Sequence, residues 1–468
     1  MAYEQDTGAH KIQSASPQGD NPIVGGETWE TMWRLSWPML LIMVFNFLVG
    51  FTDIYVAGLI GRDVQAAIGY VAQLYFLFII VGNAISIGTV ALVSRAFGAL
   101  AYEKASEYVK QSLIFGLIVS LVLMVIGVLF HGPIVKIAGF PPQIRTIAET
   151  FLVIFSFALG SNYLLIISNG IFRASGEVKK PLLTMLVFCI INIILDFALV
   201  FGFGPLPALG YPGIAYATAV SATVSMVVNC IFFTSGRWRK LLGKGWGLQG
   251  RTILLIARLG WPAGLLQIAW NAGSIILYHI LAQLGSGSII ALASITNGLR
   301  IEAIIFMPAF AMNMAASVLV GQNLGAGNPR RAAQLGWKLA LSAMVALSLI
   351  SCIIFIFAEF FASLLARDMS VLAETARYLR VNMFSEPFMA LSLVLGGALQ
   401  GAGDTKGNMW VIIFCMWIIR LPLAYLMAIM LGLGAFGVWL AMVASMVAQG
   451  LLMAYRFQRG KWKTMEIM

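Results

Sequence analysis

The sequence predicts an all-α polytopic membrane protein: twelve transmembrane helices arranged as two pseudo-symmetric six-helix lobes. Three observations lead there: an apolar composition, a series of span-length apolar runs, and an internal repeat. Hydrophobic residues make up 60% of the 468 residues and charged ones only 10%, a balance foreign to soluble domains. A helix crossing a hydrocarbon core roughly 30 Å thick needs about 20 apolar residues. Runs of that length fall at about 35–59, 66–94, 111–130, 149–172, 182–204, 211–234, 253–284, 289–320, 337–364, 376–400, 409–432 and 434–455. Several exceed the minimum and are expected to tilt or kink. The expected organisation is a polar, disordered cytoplasmic tail over 1–31 and an N-terminal lobe over 32–235. A basic cytoplasmic linker over 236–252, a C-terminal lobe over 253–456 and a basic cytoplasmic tail over 457–468 complete it. The opening has no cleavable signal pattern.

The net charge of +11 suggests nucleic acid until its distribution is considered. Of 30 lysines and arginines, only Arg62, Lys136, Arg145, Arg367, Arg377 and Arg380 fall opposite the termini, and only Arg300 and Arg420 fall inside spans. The remainder gather on one side, which the positive-inside rule assigns to the cytoplasm. The basic residues therefore set topology, with no nucleic-acid partner implied. Cys189, Cys230, Cys352 and Cys415 all lie in apolar runs without a Cys-x-x-Cys pair, so they are read as core filler. His10, His131 and His279 have no metal-ligand spacing.

The repeat is explicit. The segment Arg34 to Pro38 (RLSWP) recurs as Arg258 to Pro262 (RLGWP), 224 positions on. LVSRAFGAL from Leu92 recurs as LVGQNLGAG from Leu319, and ASGE from Ala174 as GAGD from Gly401, both at 227. LGYPG from Leu209 recurs as LGAFG from Leu433, again at 224. Ordered matches at nearly one offset indicate duplication. An even number of spans per half makes both halves enter from the same face, related by an axis along the membrane normal with a substrate cavity between them.

Asp53 and Asp196 stand alone in apolar runs, with no lysine or arginine at their depth in that half. A carboxylate at mid-bilayer costs about 2.5–3.5 kcal/mol on the lenient insertion scale, so such residues point to a proton, a metal cation or a cationic substrate. Helical periodicity puts Asn46 and Asp53 on one face of the first span, and Asn192 and Asp196 on one face of the fifth. Two carboxylates flanked by amides can share protons or coordinate Na⁺ through oxygens. At the repeat offsets Leu277 replaces Asp53, and Arg420 or Leu423 replaces Asp196, so the acids are a specialisation of the N-terminal lobe. The C-terminal lobe has Arg300, Glu302, Glu386 and Arg420 as secondary candidates. Arg300 and Glu302, two residues apart, face away from each other and need partners on other spans.

These residues resemble the multidrug and toxic compound extrusion (MATE) family of cation-coupled antiporters. The resemblance rests on the Trp-Pro38 opening of the first span with Asp53 fifteen residues on, and on Asn192 to Asp196 (NIILD) in the fifth. It also rests on Leu319 to Asn328 (LVGQNLGAGN) and Gln400 to Thr405 (QGAGDT). It implies two six-helix lobes around a V-shaped cavity, and export of lipophilic, often cationic compounds against inward H⁺ or Na⁺. Within it, Pro38, which removes a helix hydrogen bond, becomes a hinge through which protonation of Asp53 reshapes the cavity wall. Some members place a glutamate in the seventh span. Here Pro262 to Asn271 (PAGLLQIAWN) has no acid, which places coupling in the N-terminal lobe and favours H⁺ over Na⁺. Gln73, Tyr163 and Trp270 are candidates for the cavity lining.

The rival within the superfamily is a lipid-linked saccharide flippase, which needs an arginine-lined cavity for a pyrophosphate. The chain has no phosphate-binding glycine loop with its lysine and no Gly-x-Ser-x-Gly, so neither a built-in ATP-driven pump nor an enzyme is expected. The expectation is a monomer of the bacterial inner membrane, with both termini cytoplasmic and no cofactor beyond its coupling ion. Its partners are a small-molecule substrate and the lipid bilayer, with no ATPase subunit.

Overall fold

In hydrocarbon every backbone amide must find its partner inside the protein, which restricts lipid-exposed spans to helices or closed barrels. The computed structural model describes residues 22–139, 141–204, 207–243 and 245–465, and it is almost wholly helical. The N-terminal half holds spans Thr28–Ile60, Arg62–Gly98, Tyr102–Leu129, Pro142–Ala174, Lys179–Phe201 and Pro212–Thr234. The C-terminal half holds Gly250–Ala282, Ser288–Gly325, Pro329–Ile356, a tenth span, an eleventh, and Gly434–Gln458. The tenth is broken, with Met369–Asn382 and Glu386–Gly401 meeting at 56°. The eleventh runs from Thr405 to Met430 and contains two widened π-helical stretches, Cys415–Arg420 and Leu426–Met430, on either side of Pro422. Among the described residues, eleven helices are long and apolar enough to cross a membrane, and counting the broken pair as one span gives twelve.

One boundary moves. Residues 22–31, placed in the polar tail by composition, are largely helical: Pro22–Gly25 form a short turn and the first span starts at Thr28. Ile23 and Val24 are buried, which anchors the segment. Residues 1–21, and Lys244 of the linker, lie outside the described residues.

The halves meet backbone to backbone at the end of the bundle that carries both termini. A Cβ at Gly98 would overlap the carbonyl of Gln322, and a Cβ at Gly325 would overlap the carbonyl of Arg95. Residues 98 and 325, like 95 and 322, are one repeat offset apart, so the second and eighth spans cross on a pseudo-twofold axis. Small residues are what allow helices to approach this closely in a membrane. A second crossing joins the second and seventh spans, where Gly88 lies on the carbonyl of Ile256 and Gly260 on that of Ala84.

Polar side chains follow the same symmetry. Arg95 Nη2 donates to the carbonyl of Ala402 at 2.8 Å, at the end of the tenth span. Gln322 Nε2 donates to the carbonyl of Ala174 at 2.7 Å, at the end of the fourth. Each half thereby satisfies helix-end carbonyls of the other, groups that an isolated helix leaves open. The acids of the repeated ASGE and GAGD segments are equivalent too. Glu177 pairs with Lys180 at 2.5 Å and Arg237 at 2.6 Å, and Asp404 is held by both Nε and Nη2 of Arg456 at 2.8 Å.

Gly98→Ala is expected to lower the melting temperature of the detergent-solubilised protein, because overpacking costs about 1–3 kcal/mol. Gly50, where an added methyl group would meet nothing within 4 Å, is the control: Gly50→Ala should leave melting unchanged or raise it by removing a flexible residue from a helix.

Candidate coupling site

Three spans of the N-terminal half bring four oxygen-bearing side chains together. Asp53 comes from the first, Asn192 and Asp196 one turn apart from the fifth, and Thr218 from the sixth. Asp53 is within side-chain hydrogen-bonding range of Asp196, with Asn192 and Thr218 beside it. Asn192 and Asp196 are fully buried, while Asp53 is half-buried. Asn192 Nδ2 points to Thr218 Oγ1 at 3.3 Å, and that hydroxyl donates to the Ile214 carbonyl at 3.2 Å. Both groups also lie within hydrogen-bonding reach of Asp53, so Asp53 is partly served while, among the described residues, Asp196 is not.

The acceptors are left over. Among the described residues, both carboxylate oxygens of Asp196, Oδ1 of Asp53 and Oδ1 of Asn192 are buried with no hydrogen-bond partner. No described lysine or arginine contributes to the surroundings of either aspartate. A buried polar atom without a partner is costly, and two adjoining carboxylates repel unless something neutralises them. A proton shared between them removes both penalties, and so does a cation. The donor set is all oxygen, which suits H⁺ or a hard cation such as Na⁺. Among the described residues no group of three or more His, Cys, Asp or Glu side chains converges, as a transition-metal site would need.

Other predicted residues fall elsewhere. Asn46 is exposed and donates to its own helix at the Ile42 carbonyl, 2.8 Å away. It shares a face with Asp53, but seven residues separate them by about 10 Å along the helix. Pro38 is buried within a first span that runs unbroken from Thr28 to Ile60. Gln73 is exposed on the second span. Tyr163 is fully buried against Gly82, and its hydroxyl donates to the Phe78 carbonyl, so it presents no surface to a cavity in this conformation. Thr218 was not singled out by the sequence. Its only local signal is a hydroxyl in the small-residue stretch of the sixth span.

The secondary candidates in the C-terminal half divide. Glu302, Glu386 and Arg420 are buried, whereas Arg300 is exposed. Glu302 lies near Tyr378 and within electrostatic range of Arg420, and Glu386 within range of Glu302. The break in the tenth span places Glu386 at the start of its second limb. Arg420, at the end of a π-helical stretch, donates through Nε to Ser445 Oγ at 2.8 Å, with its guanidinium carbon 5.2 Å from the Trp270 ring centroid. Trp270 is therefore a neighbour of this cluster. A built-in cation compensates part of the charge here, as it does not around Asp53 and Asp196.

Arg420→Met should destabilise the fold by about 3–5 kcal/mol, the cost of stranding a buried charge. Adding Glu302→Gln should recover part of the loss, read from thermal melts of the purified protein. Asp196→Asn should leave melting within about 1 kcal/mol of wild type or raise it, since an amide there donates to Asp53.

Comparison with known proteins agrees with this architecture. The MatE family model matches residues 38–198 and 262–426, one match in each half. A probable multidrug resistance protein NorM of Thermotoga maritima is 25% identical over 438 residues, covering 92% of each chain. The uncharacterized transporter YisQ of Bacillus subtilis is 22% identical over 438 residues, covering 92% of this chain and 94% of its own. Among solved structures, an outward-facing multidrug resistance MATE family transporter of the MOP superfamily superposes with a TM-score of 0.86 at 20% identity, covering 94% of this chain and 98% of that one. A MOP superfamily transporter from Pyrococcus furiosus gives 0.87 at 20% identity, covering 95% and 98%. At such identities the structural likeness speaks for the fold alone. The family match spans most of the chain and falls on both repeated halves: the chain is a polytopic membrane transporter of the MatE family, the multidrug and toxic compound extrusion proteins.

Proposed function

We propose that this protein is a secondary antiporter that exports lipophilic, cationic drugs or metabolites in exchange for H⁺, or Na⁺ in its place, through the Asp53–Asp196 pair. The observation that supports this reading is the set of buried, unpartnered carboxylate and amide oxygens at Asp53, Asn192 and Asp196. A purely structural pair would have its acceptors filled by hydroxyls, amides or arginines, as Asp404 is filled by Arg456 and Gly407.

The cycle follows from charge balance. With the pair deprotonated, the N-terminal half attracts a lipophilic cation. Proton entry from outside, one proton for each ionised carboxylate, neutralises the pair, the attraction is lost, and the drug leaves outward. Asp53 lies on the same helix as Pro38, whose missing amide leaves one carbonyl of the preceding turn without its helical donor. Movement of the first span about that point changes the cavity wall when the pair is neutralised. The halves then rock about the glycine crossings, exposing the proton to the other side. One inward elementary charge across 100 mV supplies about 2.3 kcal/mol, roughly a fiftyfold concentration ratio per net charge. Na⁺ would be held by the same oxygens, with Thr218 Oγ1 as an additional donor.

The flippase alternative asks for free arginines facing a central cavity. Arg420 is engaged by Ser445, Trp270 and the neighbouring Glu302, which weighs against that use.

In proteoliposomes loaded with a fluorescent lipophilic cation, efflux should respond to an imposed pH gradient more than to a Na⁺ gradient. Asp53→Asn and Asp196→Asn should each lower coupled efflux roughly tenfold or more, since each removes a charge-assisted contact worth about 1.5–3 kcal/mol. Efflux that persists in both variants would move coupling to Glu302 and Glu386.

A further inference from the structure

A cavity of about 380 Å³ opens beside the end of the twelfth span, where the ninth span begins its course through the membrane. Such a volume falls within the roughly 300–1,000 Å³ typical of small-molecule sites. Its walls include Lys338, Gln334 and Trp337 of the ninth span, Phe457 and Gln458 at the end of the twelfth, and Lys463 of the turn that follows. The polar part of this surface is two ammonium groups and two carboxamides, and among the described residues no carboxylate lines it. Among the same residues neither lysine has an ion-pair partner.

Lys463 is not on a frayed end. Gly460 takes a left-handed conformation (φ 71°) that turns the chain back under the bundle. Trp462 is then buried, stacked on Phe457 with centroids 4.6 Å apart, and its Nε1 donates to the Phe457 carbonyl at 2.8 Å. Phe457 meets Trp337 edge-on at 5.7 Å. On the far side of the turn, Arg95 Nη1 from the N-terminal half donates to the Met465 carbonyl at 2.7 Å. The turn is fixed at both ends, and it holds a second positive charge beside the same cavity as Lys338.

The surface beneath the cavity is apolar and exposed. Leu341, Val345, Leu349 and Ile353 follow Lys338 on the ninth span at helical spacing, each substantially exposed. Leu451 and Tyr455 do the same on the twelfth. From Lys338 to Ile353 is about 22 Å of helix rise, more than the roughly 15 Å depth of one hydrocarbon leaflet. A soluble phosphate ester would use the lysines and ignore this stripe, whereas a phospholipid uses both. The site is also on the termini-bearing face where the sequence concentrates its lysines and arginines, the leaflet in which basic pockets between spans meet anionic head groups.

We propose that this cavity binds the head-group phosphate of an anionic phospholipid between Lys338 and Lys463, with its acyl chains on the exposed stripe of the ninth span. Gln334 and Gln458 donate to the phosphodiester and glycerol oxygens, and Trp337 sits at the level of the ester linkages. The bound lipid ties the C-terminal turn to the ninth span. This site is separate from the aspartate pair and does not depend on the transport reading.

The test is a native mass-spectrometric titration of the full chain in detergent. The ligands are phosphatidylglycerol, phosphatidylethanolamine with the same acyl chains, and soluble glycerol phosphate. Wild type should prefer phosphatidylglycerol over phosphatidylethanolamine by roughly twenty-five-fold, about fivefold for each lysine, and glycerol phosphate should not compete. Lys338→Gln with Lys463→Gln should bring the two lipids to near parity, while Lys338→Arg with Lys463→Arg should keep the preference. The pair Lys179→Gln and Lys240→Gln, exposed lysines elsewhere, should leave it unchanged. Equal wild-type binding of the two lipids, or a preference that survives in the glutamine pair, would overturn the proposal. A preference lost equally in the Lys179/Lys240 control would reduce it to general surface charge. Competition by glycerol phosphate at the lipid's own concentration would reassign the site to a soluble phosphate ester.

Discussion

The contact on which the rest of the architecture depends is the crossing of the second and eighth spans at Gly98 and Gly325. There each half rests a glycine on the backbone carbonyl of the other. Lipid tails are as apolar as leucine, so two bundles in a membrane gain little from apolar contact alone, and they associate through close packing and interhelical hydrogen bonds. The structure supplies both at one end: the glycines let backbones touch, while Arg95 and Gln322 reach across to helix-end carbonyls of the opposite half.

The two halves are duplicates in backbone but differ in buried charge: in the described residues, only the C-terminal one sets an arginine among its buried acids. At the offset of 224, Asp196 corresponds to Arg420. Around Asp196 the duplicated scaffold presents two carboxylates, with the nearby amide and hydroxyl reaching Asp53, each other and the helix backbone but leaving both oxygens of Asp196 unpartnered among the described residues. Around Arg420 it presents Glu302 and Tyr378 within electrostatic range of a guanidinium that is itself held by Ser445, with Glu386 in range of Glu302. A buried site with an internal cation is compensated within the structure, whereas a carboxylate pair without one needs a proton or a bound cation to offset its charge. That asymmetry is the basis on which ion coupling is proposed for the N-terminal half, and it belongs to side chains rather than to the fold.

The face bearing the termini has a role of its own. Glu177 is paired there with Lys180 and Arg237, and Asp404 with Arg456, so the loops of the repeat are clamped. Lys338 and Lys463 stand outside those pairs, with Lys463 Nζ 5.7 Å from the Trp462 ring centroid, and theirs is the charge proposed to meet head groups. The C-terminal turn belongs to both systems: Trp462 packs it onto the twelfth span, and Arg95 of the other half holds its end. Lipid on one side of this turn and the inter-half seam on the other are thereby mechanically adjacent.

The sequence by itself determined the class of the molecule, its duplication and the identity of its principal acids. Bilayer thickness converts apolar run length directly into span number. Gene duplication leaves a fixed offset, and a charge in hydrocarbon is conspicuous because it is costly. Asp53 and Asp196 were legible for that reason. What adjoins them was not, because Thr218 is an ordinary small polar residue until the sixth span packs it beside the pair. Helical periodicity could place Asn46 on the correct face, but depth decides contact, and two turns are too far. Tyr163 looked like a pocket residue and is core, since only packing reveals that Gly82 opens space for its ring. Arg300 and Glu302 were equivalent as intramembrane charges, and only tertiary structure separates an exposed arginine from a buried glutamate two residues on. Periodicity and composition act along one chain segment, whereas a site is made by the rotation and register of several helices. Those are settled by packing across the whole bundle.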